Sequence, residues 1–168
     1  MPTNIGMSPL TGWGAGPQTI LGNYVADGGV LLVTGLYGFS FLNSIFGWDL
    51  ISVYVCNPTS TSTFSFVSKN VVNTAGTVFS DGPDTLGCPI NTYSLNCNSV
   101  DCTAMYGDQS NASVIVIEHG DGRVIVLGYD FHNAGYEVNG FHQNCPERGD
   151  DWVVSILRSS LLLAAGAV

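Results

Sequence analysis

Residues 113–127, SVIVIEHGDGRVIVL, carry the clearest structural pattern in the chain. Ser113 to Glu118 and Arg123 to Leu127 read as two strands. Between them His119-Gly120-Asp121-Gly122 reads as a four-residue turn with the Asp-Gly pair that hairpins favour. Val114, Val116, Val124 and Val126 alternate with other apolar residues, so both faces of this hairpin are expected to be covered.

Upstream, residues 1–16 are rich in Gly, Pro, Ser and Thr and read as an irregular arm. Pro17 sits where a helix tolerates it, at its first position. Ile20, Leu21, Tyr24 and Val25 then recur at helical spacing. Gly28-Gly29 stops that helix, since glycine accepts the left-handed cap conformation. Val30 to Val33 is a continuous apolar run, as in a strand buried on both faces of a parallel sheet. After a turn at Thr34 to Gly38, Phe39 to Phe46 is expected to be helical up to Gly47, and Leu50 to Val55 to be a strand. The Ser/Thr-rich segment 57–68 offers a strand around Phe64, Phe66 and Val67. Residues 80–112 read as a long decorated connection.

Downstream, a helix is expected from about Asp150 to Ala165. Val153, Ile156, Leu157, Leu161 and Ala164 fall on one face, with Arg158 and the serines opposite. Asp150 and Asp151 cap its start. No internal repeat and no second domain boundary emerge, so residues 17–168 read as one domain.

Composition narrows the function. The chain has 168 residues, 45% of them apolar and only 10% charged, against roughly 25% charged in average globular chains. Four basic residues (Lys69, Arg123, Arg148 and Arg158) face thirteen acidic ones, for a formal charge of −9. Such a chain cannot cluster cations on phosphates, which argues against nucleic-acid binding and against anionic membrane surfaces. No 18-residue apolar run indicates a transmembrane helix. Met1 to Leu10 lacks the basic and apolar regions of a signal peptide.

Five cysteines are present: Cys56, Cys88, Cys97, Cys102 and Cys145. Cys88, Cys97 and Cys102 fall together and read as a disulfide-stapled loop, as free buried thiols or as zinc ligands, although C-x-x-C spacing is absent. Asn111-Ala112-Ser113 is a glycosylation sequon, with Asn111 as acceptor. With the single lysine, these features tilt the reading toward an extracellular origin.

Three stretches resemble the class I glutamine amidotransferase-like superfamily, near its trehalose-utilisation-like branch. They are residues 21–33, LGNYVADGGVLLV; residues 41–47, FLNSIFG; and residues 120–130, GDGRVIVLGYD. The resemblance covers roughly residues 18–55 and 113–165. It implies a three-layer flavodoxin-like parallel sheet, with a late β-hairpin and a C-terminal helix. Members of that family place two βα units before the double glycine, where this chain has about sixteen residues. The fold is therefore expected to be truncated, with an open sheet edge that invites a partner strand. The family's nucleophile is a cysteine on a strained turn, but Leu36 and Tyr37 occupy that turn here. Its His-x-Glu pair is replaced by Glu118-His119 in reverse order. Glutaminase chemistry is not expected, and no cofactor is implied.

Other chemistry concentrates in Tyr129-Asp130-Phe131-His132 and onward to His142. Asp130 follows a strand end, where α/β folds place ligands. Asp130, His132 and His142 could hold a metal or act as acid and base. They equally read as loop histidines and a capping or paired carboxylate, since no compact H-x-x-x-H spacing occurs. Tyr37, Trp48, Tyr106 and Tyr136 lie in or near expected loops, where aromatic faces stack on sugars or fill partner pockets; core packing is the alternative for each.

The leading expectation is a non-catalytic interaction or structural module that associates with itself or another polypeptide through the open sheet edge. The alternatives are a hydrolase, metal-dependent or not, built on Asp130, His132 and His142, and a carbohydrate-binding accessory domain.

Overall fold

The structure, a computed structural model, describes residues 15–35, 38–54, 66–87, 92–96, 100–129 and 151–166. In chain order the elements are α1 (Ala15–Ala26), β1 (Val30–Thr34), α2 (Gly38–Phe46), β2 (Ile51–Tyr54), β3 (Phe66–Ser68), α3 (Val71–Thr74), β4 (Thr85–Gly87), β5 (Tyr93–Asn96), β6 (Cys102–Asp108), β7 (Asn111–His119) and β8 (Gly122–Leu127). A π-helical turn, Asp151–Leu157, leads into α4 (Arg158–Ala164). The protein is a mixed α/β fold around an open six-stranded sheet, with a separate β3–β4 pair.

The β7–β8 hairpin anchors this sheet. His119 pairs with Gly122, so the expected four-residue turn closes to two residues, Gly120 and Asp121. Gly120 has φ +61°, which an L side chain rarely adopts. The sheet order is β1-β8-β7-β5-β2, and β6 also pairs with β7. β1 runs parallel to β8, from Val30 opposite Arg123 to Thr34 opposite Leu127. The other pairings are antiparallel. β5 meets β7 at Leu95 opposite Ala112, just past the end of β8.

The period-2 pattern of the central strands splits the core in two. Val33, Ile115, Ile117, Val124 and Val126 join Val25 and Leu42 on one face, under α1 and α2. Val114, Val116, Ile125 and Leu127 join Phe79, Leu86, Tyr106, Ile156 and Leu163 on the other. Fully burying each aliphatic side chain stabilises the fold by about 1.5–3 kcal/mol, so a one-residue register slip in β8 would exchange its two apolar sets between these clusters.

α2 ends as expected at Gly47, whose φ of +70° and N–H bond to Asn43 O close the helix. Asn43 then ties its side chain to both the N–H and the carbonyl of Leu50. α1 begins at Ala15, two residues before Pro17; Pro17 still falls in the first turn, where its missing N–H breaks no helical bond. Its expected apolar face is only partly used. Val25 is buried, whereas Ile20 and Tyr24 are 71% and 53% exposed.

Two expectations are corrected. Residues 80–112 are not simply a decorated connection: they contain β4, β5 and β6. Their strands bury small or polar residues (Ser94, Cys102, Ala104), and β6 carries register shifts at Ala104/Tyr106 and Tyr106/Gly107. These features mask the alternation that marks a strand. In the C-terminal helix, Ser159 and Ser160 are buried while Leu161 is 53% exposed. A π turn spans one residue more than an α turn, so the residues after it are rotated by about 100° relative to a continuous α-helix. Ser159 consequently donates to Val78 O and Ser160 to Ile156 O.

Candidate functional site

The first and third stretches that carried the family resemblance meet in space. The Asp121 N–H donates to Ala26 O at the end of α1, and the Arg123 N–H donates to Gly29 O. A Cβ on Gly122 would lie 2.0 Å from Val25 O and 2.2 Å from Gly29 O. One on Gly120 would lie 2.5 Å from Ala26 O. The glycines of the hairpin tip are therefore required by backbone-on-backbone packing, and the Asp121 N–H satisfies a carbonyl that the helix end leaves open. This junction positions β8 against α1 and needs no ligand to explain its residues.

Glu118 and His119 do not form a catalytic pair. They are successive residues of β7 and so project to opposite faces. Glu118 Oε2 lies 3.7 Å from Arg123 Nε across the hairpin. His119 instead packs edge-on against Phe46 and Trp48, with ring centroids 4.8 and 5.9 Å away. Trp48 is stacked on Phe46 at 4.4 Å and is half-buried. One face of this candidate binding residue is thus already covered by protein.

Tyr106 is corrected from a binding residue to a core residue. It is fully buried, and its hydroxyl donates to Pro83 O at 2.8 Å. Its place on β6, under residues 79–86, removes the aromatic face from solvent. Tyr37, Tyr136, Asp130, His132 and His142 lie outside the described residues, as does Leu36. Cys102 is buried at the start of β6 and disulfide-bonded; Cys88 and Cys97, with the other two cysteines, lie outside the described residues. Asn111 is exposed at the start of β7, where its side-chain oxygen accepts from the buried Ser94 hydroxyl.

The ends of β1 and β8 converge where the sequence reading placed its polar constellation. The Gly35 N–H donates to Leu127 O, the Gly128 N–H to Ser113 O, and the Tyr93 N–H to Gly128 O. A Cβ on Gly128 would lie 1.8 Å from Tyr93 O. Thr92, Ser94 and Ser113 are buried beside this crossing, and the Ser113 hydroxyl has no hydrogen-bond partner. No titratable side chain among the described residues contacts that hydroxyl as a base.

Lys69 is structural. Its ammonium donates to Ser80 O at 3.1 Å and Gly82 O at 2.8 Å, and pairs with Asp84 at 3.2 Å. Three donors meet three acceptors, which leaves none for a substrate. The open cleft of about 490 Å³ beside it is lined by Val67, Ser68, Asn70, Val71, Gly107, Asp108 and Asn111 as well, and no nucleophile–base pair occurs in that set. Among the described residues no group of His, Cys, Asp or Glu could hold a metal. None of their helices is long and apolar enough to cross a membrane.

Among the described residues the sheet ends in two strands, β1 and β2, each paired on one side only; β1 is the longer and the one whose outward groups the register fixes. It lies at one end of the strand order and pairs only with β8 among the described residues. Gly29 O accepts from Arg123 and the Gly35 N–H donates to Leu127 O. Because backbone groups alternate sides along a strand, residues 29, 31, 33 and 35 point theirs at β8. Val30, Leu32 and Thr34 point theirs outward.

By contrast, the outer side of β6 is occupied: the Asn70 N–H donates to Met105 O and Asn73 Nδ2 to Ala104 O. Helices pack on β1 from both faces, and each leaves large apolar residues in solvent. These are Ile20 and Tyr24 on α1, and Leu161 and Leu162 (53% and 39% exposed) on α4. Sequence reasoning anticipated an open edge. It did not identify the three outward residues, which only the β1–β8 register reveals.

No protein-family model and no curated protein matches the chain.

Proposed function

We propose that this domain is a non-catalytic interaction module that binds an extended polypeptide by strand addition at β1. The observation that carries the reading is the outward row of backbone N–H and C=O groups at Val30, Leu32 and Thr34, in an uncharged strand, VLLVT. An extended, apolar edge without Lys, Pro or a bulge is what strand-pairing partners recognise and what edge-protected proteins avoid. The commitment of Lys69 to backbone carbonyls fits the same reading.

We also read the chain as a divergent amidotransferase-like domain. The order helix, double glycine, strand, helix at its start supports this, as does the parallel β1–β8 pair with an apolar cluster on each sheet face. In that reading the three-layer flavodoxin-like arrangement is retained around β1 and β8, and the remaining strands are antiparallel additions.

The test is a titration with a short synthetic peptide of alternating Thr and Val, followed by amide chemical shifts. Strand addition predicts saturable changes centred on Val30 to Thr34. Changes confined to the cleft around Lys69 and Asn111, or none, contradict it.

A further inference from the structure

We infer that the partner of the β1 edge is a second copy of this chain, paired antiparallel about Leu32; the inference rests on the strand-addition reading above. The outward backbone groups fall at Val30, Leu32 and Thr34, a set symmetric about its middle member. An antiparallel partner of the same sequence, centred on Leu32, sets Val30 against Thr34, Leu32 against Leu32, and Thr34 against Val30. Each facing pair exchanges two N–H···O bonds, so the three pairs supply ~6. Shifting the centre to Leu31 or Val33 leaves only two facing pairs within the strand. The sequence of the edge thus selects one register.

The two-fold axis of such a pair stands perpendicular to the sheet. Each helix that flanks β1 therefore meets its own copy on the same face. α1 brings Ile20 and Tyr24, and α4 brings Leu161 and Leu162, all of them exposed in the single chain. Charge leaves this edge as the place where two copies can meet. The whole chain carries −9, so two copies repel over most of their surfaces. Neither Val30–Thr34 nor the four exposed apolar helix residues carries a charge. A basic or acidic partner would need complementary charge at this edge, and the strand offers none.

Sedimentation velocity over a concentration series tests the pairing, on the wild-type chain and on Thr34→Pro. Thr34 is exposed, and its N–H points away from β8, so proline there spares the ladder to β8. It removes two of the intermolecular bonds, one from each copy. The expected result is a monomer–dimer equilibrium weakened roughly 10- to 30-fold in the variant.

A wild-type dimer of isotope-labelled and unlabelled chains should also show a contact between the Leu31 Hα of one copy and the Val33 Hα of the other. That pair is the close, non-hydrogen-bonded one in this register, and this arm does not depend on the variant folding. A wild-type chain that stays monomeric while the Thr/Val peptide still shifts Val30 to Thr34 would overturn the self-pairing and leave the strand-addition reading intact. A dimer that lacks the Leu31–Val33 contact would place the interface elsewhere and overturn the inference.

Discussion

Replacing Gly122 by alanine probes the junction that orients the sheet. The added Cβ would sit 2.0 Å from Val25 O, 2.2 Å from Gly29 O and 3.0 Å from Gly29 N. All three neighbours are backbone atoms, so no flexible side chain can swing aside. The hairpin tip and the end of α1 must separate by about 1 Å before the repulsion ends. That movement breaks the bonds from Asp121 to Ala26 and from Arg123 to Gly29, at about 1 kcal/mol each. It also disturbs the packing of Val25 and Val124, both fully buried, for a further 1–3 kcal/mol or so. The expected loss is about 3–5 kcal/mol, a large share of the roughly 5–15 kcal/mol that holds a domain folded.

Urea denaturation measures this loss, with Gly76→Ala as the reference. Gly76 has φ +72° but nothing within 4 Å of an added Cβ, so alanine there should cost only the left-handed strain of roughly 1–2 kcal/mol. If Gly122→Ala costs no more than Gly76→Ala, the packing of the hairpin tip on α1 is wrong.

Three further outcomes are expected. Lys69→Met should lose about 2–4 kcal/mol, because Ser80 O and Gly82 O lose a charged donor that is only 11% exposed. Asp84→Asn should change the denaturation midpoint little, since Asp84 is 95% exposed; equal effects of the two would contradict the role given to the carbonyls. Ser113→Ala should leave stability unchanged or raise it by up to about 1 kcal/mol, because it removes a buried hydroxyl without a partner. A clear loss in that variant would mean the hydroxyl is bonded. Trp48→Ala should abolish most of the near-ultraviolet circular dichroism contributed by the Phe46–Trp48–His119 cluster; an unchanged spectrum would show that the stack does not form.

The parts of the fold that could be read from sequence are those where one simple periodicity operates. β7 and β8 alternate between two apolar faces without interruption, and α2 stops at a glycine with nothing to blur its end. β5 and β6 were invisible because Ser94, Cys102 and Ala104 fill buried positions that pattern reading expects large apolar residues to hold. The shifts around Tyr106 then break the alternation itself, which is also why Tyr106 read as a loop aromatic. The phase of the C-terminal helix was misjudged because a π turn precedes Arg158, and nothing in residues 151–157 announces it.

The open edge was anticipated, but its chemistry was not. Which of Val30 to Thr34 face outward depends on pairing with Arg123 to Leu127, some ninety residues later in the chain.

Amide hydrogen exchange along β1, residue by residue and at increasing protein concentration, tests the claim that this edge is the recognition surface. In dilute solution Leu31 and Val33 should be protected by β8, while Val30, Leu32 and Thr34 exchange freely. As concentration rises, those three should become protected together. Uniform protection of all five residues in dilute solution would mean that the edge is already covered, and would contradict the account.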